Sequence, residues 1–255
     1  MTPATSTRDA ALLGVGAGIG YLACRALPRL RSYLTKGATP TPYKIVYHSK
    51  LGFRAAPIQL LLLDAGVDFE MVDPYWGADR VIENNPGMPS FAPPALRVGT
   101  FTIAQTPAIL QYLASTVGYG AAGGVEEEAA HLQLLLDIGD VTSELFTEVR
   151  KGAEAKAAFA KADGGRLKNW LEHLRKAFVK RTAGCGFLFQ ESRPTAADFY
   201  LLSALECFEF CYGAAHMGAL LPAEFKAWRE RMEARPSFRS YRQQAKPILF
   251  DSMKC

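Results

Sequence analysis

The segment from Phe91 to Ser115 constrains the fold more than any other part of this sequence. It contains two short apolar runs, residues 95–98 and 101–103, which are separated by Gly99 and Thr100. Two such runs around a glycine-containing turn are typical of a β-hairpin. The chain is therefore predicted to form two short strands here, joined by a tight turn.

A helix is predicted to begin immediately after this hairpin. Thr106 is a good N-cap, and Pro107 loses no hydrogen bond in the first turn of a helix. Apolar residues then recur at helical spacing, at Ile109, Leu110, Leu113 and Val117. The free N–H groups and the positive dipole end of this helix start favour a carboxylate bound beside Gln105 and Thr106.

The preceding segment predicts a β-α-β unit. Residues 43–47 form a predicted strand, and residues 54–65 place apolar side chains at helical spacing before Gly66 ends the helix. Residues 67–72 alternate in polarity and supply a second strand. Followed by the hairpin and its helix, this unit predicts a thioredoxin-like domain with a mixed sheet over residues 43–118.

The second half of the sequence predicts an all-helical domain. Residues 118–124 contain four glycines and mark the boundary between the two domains. Residues 126–150 and 166–179 then carry leucines at helical spacing. Further on, Thr195 and Asp198 form a capping-box pattern before an apolar helix. The helical domain is predicted to cover residues 125–245.

The charge distribution argues against a nucleic-acid partner. The net charge of +4 arises within residues 1–42, which hold five basic residues and one acidic residue. The rest of the chain carries equal numbers of basic and acidic side chains and no basic stripe. The five cysteines and four histidines lack metal-ligand spacing, so we expect no metal site and a reducing compartment.

Residues 1–42 form a separate N-terminal segment with a linker at its end. Residues 10–24 carry no charge and are followed by Arg25, Arg29 and Arg31. This order is typical of a retained membrane anchor whose folded domain stays on the cytosol-like side, with residues 10–27 in the membrane. The alternative is an organelle-targeting peptide, for example for the mitochondrion.

Extraction of membrane fractions with alkaline carbonate tests the predicted anchor. We expect the full-length protein to stay in the pellet, because an apolar helix over residues 10–27 would hold it in the bilayer. Release into the supernatant, or a mature chain that begins near Lys36, would contradict the prediction.

The segment 91–115 resembles the glutathione-site segment of the cytosolic glutathione transferase family. The resemblance rests on Pro94 with Ala95 and Leu96, on Gly99, and on Gln105 and Thr106 with Ile109 and Tyr112. It implies a cis peptide bond at Pro94. The Thr195–Asp198 box resembles that of the family's helical domain, so the resemblance covers roughly residues 43–245.

The first β-α-β unit is similar to the tyrosine-type classes of that family, most closely the sigma class. Tyr47 matches the tyrosine that ends the first strand, and Arg54 matches the arginine near the start of the next helix. Ser49 is a second choice for the hydroxyl. The resemblance implies that Tyr47 donates a hydrogen bond to the glutathione thiolate and that Arg54 supports the anion. Trp76 and Arg80 match the family's tryptophan and the basic residue after it.

The implied function is a glutathione transferase that conjugates or isomerises a small apolar electrophile. Glutathione would be the co-substrate, held by Trp76, Arg80, Pro93, Gln105 and Thr106. Pro93 departs from the family pattern because proline has no N–H to pair with the ligand backbone, so weakened binding is expected.

The alternative function is a non-catalytic docking subunit of a membrane assembly that retains the transferase fold. The anchor-like segment and the altered residue Pro93 both suit that role. As partners we expect a second copy of the chain or a protein of a membrane complex.

Overall fold

The chain is described by a computed structural model. The structure describes residues 43–48, 52–73, 90–182 and 186–244. The predicted anchor at residues 10–27 and the candidate site residues Ser49, Trp76 and Arg80 lie outside these ranges.

A four-stranded mixed sheet forms the first half of the described chain. Its strands lie in the order β2-β1-β3-β4. β1 pairs with β2 in parallel and with β3 in antiparallel, and β3 pairs with β4 in antiparallel. The strand bounds are Tyr43–Val46 for β1, Phe69–Val72 for β2, Ala95–Val98 for β3 and Phe101–Ala104 for β4.

Two helices pack with this sheet. A 3-10 turn at Phe53–Ala55 leads into α1, Ala56–Asp64, and α2, Thr106–Leu113, continues into a π-helical turn at Ala114–Gly118. Each helix has a proline in its first turn, where no intrahelical hydrogen bond is lost. The predicted thioredoxin-like order of elements is therefore confirmed.

The rest of the described chain is helical. The long helix α3, Val125–Lys151, has three glutamates in its first turn and two basic residues in its last, which complement the helix dipole. The remaining helices are α4 (Ala153–Phe159), α5 (Arg166–Thr182), α6 (Ala196–Tyr212), α7 (Ala214–Leu220), α8 (Ala223–Glu233) and α9 (Pro236–Gln244). The predicted fold class, a mixed sheet followed by helices, is confirmed.

The start of α6 is fixed by the predicted capping box. The Asp198 carboxylate accepts hydrogen bonds from the Thr195 N–H and hydroxyl at 2.7 and 2.9 Å. It also accepts from the Leu188 N–H at 3.0 Å and from the Trp228 indole N–H at 2.7 Å. Burial raises the pKa of Asp198 to about 6, although all these hydrogen bonds act in the opposite direction. The box thus also ties α6 to α8.

The two halves share one hydrophobic core and a buried ionic contact. Asp64, at the end of α1, accepts two hydrogen bonds at 2.7 Å from the Arg235 guanidinium. The same carboxylate accepts from the Ser237 hydroxyl at 2.6 Å and from the Tyr119 hydroxyl at 2.9 Å. Burial alone would raise the pKa of Asp64, but the hydrogen bonds from Arg235 and Ser237 outweigh it and lower the pKa. Asp64 therefore fastens the sheet domain to the start of α9.

Among the described helices, none is both long and apolar enough to cross a bilayer.

We expect Asp64→Asn to lower the free energy of unfolding by about 3 kcal/mol, because it leaves the half-buried Arg235 without its counter-ion. Urea denaturation of the purified protein measures this change. The matched control is Glu144→Gln, which removes a carboxylate that accepts two hydrogen bonds from the exposed Arg166 and should cost much less.

The cost of Asp64→Asn should also depend on pH. Because the pKa of Asp64 is lowered in the folded state, its contribution is present above pH about 4 and is lost as the pH falls further. Equal losses for Asp64→Asn and Glu144→Gln would contradict the role assigned to Asp64.

Candidate functional site

A cleft of about 450 Å³ lies between the first half of the chain and the helices α3 and α6. The wall from the first half is formed by Arg54, by the turn at Ala92–Pro94 and by the start of α2 at Gln105–Ala108. The opposite wall consists of Leu132, Leu136, Gly139, Asp140 and Ser143 from α3 and of Tyr200 from α6. The cleft therefore brings together four of the predicted site residues: Arg54, Pro93, Gln105 and Thr106.

The turn before β3 carries the predicted cis peptide bond. The bond between Pro93 and Pro94 is cis, which confirms the expectation for Pro94. Pro93 lies in the cleft wall and has a carbonyl oxygen but no N–H. At this position a ligand backbone can therefore donate a hydrogen bond to the Pro93 carbonyl, but it cannot accept one from a Pro93 N–H.

The start of α2 differs from the sequence prediction in one respect. Gln105, and not Thr106, is the residue that precedes the helix, and the Ile109 N–H donates to the Gln105 carbonyl at 2.9 Å. The Thr106 hydroxyl does not cap the helix, because it donates to the Arg54 carbonyl at 3.0 Å. That hydrogen bond holds the start of α2 against the turn before α1.

This helix start presents free backbone donors to the cleft. Pro107 lacks an N–H, and within the described ranges no acceptor pairs with the N–H groups of Thr106 and Ala108. Both residues lie in the cleft wall. Two free N–H groups at the positive end of a helix dipole are suited to binding an anion.

Gln105 has a strained backbone at the edge of the cleft. Its φ of 71° and ψ of 119° lie in a region that residues other than glycine rarely adopt. Strain of this kind costs on the order of 1–3 kcal/mol and is concentrated at functional sites. The strain is therefore located in the cleft wall, at the residue that precedes α2.

The cleft contains charges of both signs. The Arg54 guanidinium belongs to one wall and the exposed Asp140 carboxylate to the other. Neither side chain forms an ion pair or a hydrogen bond with any residue that the structure describes. Both charges are therefore available to a ligand.

Tyr47 lies beside the cleft wall but not in it. The residue is 7% exposed and belongs to the core. Burial raises the pKa of Tyr47, while the charge of Arg54 and a hydrogen bond from the Arg54 backbone N–H act in the opposite direction. The predicted neighbours Tyr47 and Arg54 are thus adjacent, but only Arg54 reaches the described wall of the cleft.

Sequence reasoning missed the residues that the helical domain contributes. Tyr200 is 5% exposed and lines the cleft from α6. A methyl group at Gly139 would lie 3.4 Å from both Pro107 Cγ and Tyr200 Oη, so α2, α3 and α6 meet at this glycine. An isolated glycine inside a long predicted helix was the available signal, since it destabilises a helix unless packing requires it.

The rim of the cleft is apolar. Leu132 and Leu136, one turn apart on α3, are 37% and 50% exposed. Ala92 and Pro93 line the opposite side. The cleft therefore combines polar groups with an apolar edge open to solvent.

Comparison with known proteins agrees with this geometry. Residues 139–245 match the family model described as glutathione S-transferase, C-terminal domain. The comparison with curated proteins found no match.

Solved structures of several glutathione S-transferase classes share the fold. The Pi-class enzyme of Onchocerca volvulus is 22% identical with a TM-score of 0.63, covering 79% of this chain and 92% of its own. A Caenorhabditis elegans glutathione S-transferase is 23% identical with a TM-score of 0.60, covering 82% and 100%. The Tau-class enzyme of mango, Mangifera indica, is 16% identical with a TM-score of 0.62, covering 81% and 97%. The chain therefore has the glutathione S-transferase fold.

The strain at Gln105 can be measured by replacing the residue. At an ordinary helical position alanine is more stable than glycine by about 0.5–1 kcal/mol. At Gln105 we expect the reverse order, with Gln105→Gly more stable than Gln105→Ala by about 1 kcal/mol, because glycine adopts a positive φ without strain. Urea denaturation of the two variants measures the difference, and a more stable alanine variant would contradict the strain.

Proposed function

We propose that this protein is a glutathione transferase that binds glutathione in the cleft and uses its thiolate to conjugate or isomerise a small electrophile. The observation that carries the proposal is the convergence of Arg54, Pro93, Gln105 and Thr106 on one cleft beside Pro94. The same four residues match the glutathione-site pattern of the family that the sequence resembles. The fold supports the same activity without establishing it.

The charges of the cleft suit the γ-glutamyl end of glutathione, which carries a carboxylate and an ammonium group. The N–H groups at the start of α2 would receive the carboxylate, and Asp140 on the facing wall would receive the ammonium group. A site that has one subsite for an anion and another for a cation binds a zwitterion better than a simple anion. We expect weak binding, because Pro93 offers the central cysteine of glutathione a carbonyl but no N–H.

The thiolate is the reactive form of glutathione, and a free thiol has a pKa of about 8.5. We propose that Tyr47 donates a hydrogen bond to this sulfur and that Arg54 supports its negative charge. Burial raises the pKa of Tyr47, so the phenol carries a proton that it can donate at neutral pH.

The apolar rim suits the electrophile. Leu132 and Leu136 are exposed beside the polar part of the cleft, where they would contact an apolar body carried by the second substrate.

Membrane attachment through residues 10–27 and association with a second copy or a membrane complex remain predictions from the sequence. The structure does not describe residues 10–27. The docking-subunit hypothesis depends on that segment, whereas the transferase hypothesis depends on the cleft.

Calorimetric titration with glutathione tests the proposed activity. We expect binding at millimolar concentration and, in the bound state, a thiol pKa below the free value of about 8.5. The pH dependence of the thiolate absorbance in the ultraviolet measures this pKa. Absence of binding at millimolar concentration would refute the transferase proposal.

The Tyr47→Phe variant separates thiolate formation from binding. It should raise the pKa of the bound thiol toward about 8.5 while changing the affinity little, because only the hydroxyl is lost. Tyr43→Phe, at the other end of β1, is the matched control. An unchanged thiol pKa in Tyr47→Phe would show that another group stabilises the thiolate.

A further inference from the structure

The Tyr200 hydroxyl is a buried donor without a partner in the described parts of the chain. The residue is 5% exposed, and its hydroxyl forms no hydrogen bond with any described residue. The tyrosine hydroxyls of Tyr119 and Tyr212, by contrast, donate to the Asp64 carboxylate and to the Lys156 carbonyl. Polar groups that folding removes from water are nearly always hydrogen bonded, so an unpartnered phenol requires an explanation.

The Tyr200 hydroxyl faces the cleft. Three described side-chain polar atoms are fully enclosed without a partner, on Ser90, Thr102 and His131, and the Tyr200 oxygen is not one of them. Since Tyr200 also lines the cleft, its hydroxyl is the part that opens into it. A ligand in the cleft is therefore within its reach.

The same hydroxyl lies next to the start of α2. A methyl group placed on Gly139 would be 3.4 Å from Tyr200 Oη and 3.4 Å from Pro107 Cγ. Tyr200 Oη and Pro107 Cγ are therefore separated by less than twice 3.4 Å. Pro107 is the second residue of α2, so the Tyr200 hydroxyl lies at the end of the cleft where that helix begins.

The start of α2 is short of donors for a carboxylate. Pro107 contributes no N–H, and the Thr106 hydroxyl is already bonded to the Arg54 carbonyl. Two N–H groups remain, whereas an ionised carboxylate offers about four lone-pair sites. A further donor from another element would complete the site.

We propose that Tyr200 donates its hydroxyl hydrogen to the carboxylate that the start of α2 binds. The ligand group is an α-amino carboxylate, in glutathione that of the γ-glutamyl unit, so this inference rests on the proposed function. The donor set is the N–H groups of Thr106 and Ala108 together with Tyr200 Oη, with the charge of Arg54 nearby. The helical domain thereby takes part in recognising the end of glutathione that the sequence assigned to the first domain alone.

Tyr200 is suited to this role over the physiological pH range. Burial raises its pKa, and the charges of Cys207 and Asp140 add to that effect while Arg54 opposes it. The phenol is therefore protonated and a donor at neutral pH.

The test compares wild type with Tyr200→Phe, which removes only the hydroxyl, by calorimetric titration with glutathione. We expect affinity to fall roughly tenfold or more, as for a lost hydrogen bond to a charged group. Tyr212→Phe is the matched control: it lies on the same helix, its hydroxyl bonds to the Lys156 carbonyl, and it should bind as wild type does. Thermal denaturation confirms that each variant is folded.

A second ligand identifies the group that Tyr200 contacts. In this glutathione analogue a hydrogen atom replaces the γ-glutamyl α-carboxylate. Wild type and Tyr200→Phe should bind it equally, because the partner of the hydroxyl is gone. The inference would be overturned if Tyr200→Phe lost the same amount of affinity for both ligands, or if it bound glutathione as tightly as wild type does. Either result would leave the transferase proposal intact.

Failure of the proposed function gives a different result. If wild type binds no glutathione, titration with L-glutamate tests whether the carboxylate subsite exists independently of glutathione binding. Binding of glutamate that is lost in Tyr200→Phe supports it, and absence of binding overturns it.

Gly139→Val tests the location without altering Tyr200. Its side chain would occupy the space between Pro107 and Tyr200 and should abolish glutathione binding. Gly139→Ala makes contacts of ordinary length at 3.4 Å and should bind much more tightly than the valine variant. A folded Gly139→Val protein with wild-type affinity would contradict the placement of the subsite.

Discussion

The buried carboxylate of Asp64 is the interaction on which the arrangement of the two halves depends. It ends α1 and accepts four hydrogen bonds, from Arg235, Ser237 and Tyr119, all of which lie beyond the sheet domain's last helix. Arg54 lies in the 3-10 turn that leads into α1, so the same contact helps to fix Arg54 relative to α3 and α6. A cleft whose walls come from two domains keeps its dimensions only if such a contact holds the domains in register.

A second buried carboxylate, Asp198, shows that the chemical nature of the hydrogen-bond donors decides whether they offset the rise in pKa that burial causes. Asp64 receives two of its four hydrogen bonds from a guanidinium, and its pKa is lowered. Asp198 also accepts four, but from neutral groups, and burial raises its pKa to about 6. Neutral donors satisfy the oxygens without balancing the charge. Asp64 thus joins the domains as an ion pair, and Asp198 orders α6 as a hydrogen-bonded cap.

The parts of the fold that the sequence predicts well are those set by local interactions. The hairpin, the proline-initiated helices and the Thr195–Asp198 box depend on neighbouring residues, and the structure has all of them. Thr106 was predicted as an N-cap because its type favours that role, but its hydroxyl bonds to a carbonyl 52 positions earlier. Tyr200 and Asp140 joined the site only through helix packing, which no local pattern encodes.

The two walls of the cleft are therefore built on different principles. The first domain presents mostly backbone groups, namely the Pro93 carbonyl and the first N–H groups of α2, whose positions follow from a turn and a strained residue. The helical domain presents side chains, among them Asp140 and Tyr200. Substitution changes the second wall at each side chain, whereas it changes the backbone groups of the first wall only where a residue lacks an N–H, as at Pro93.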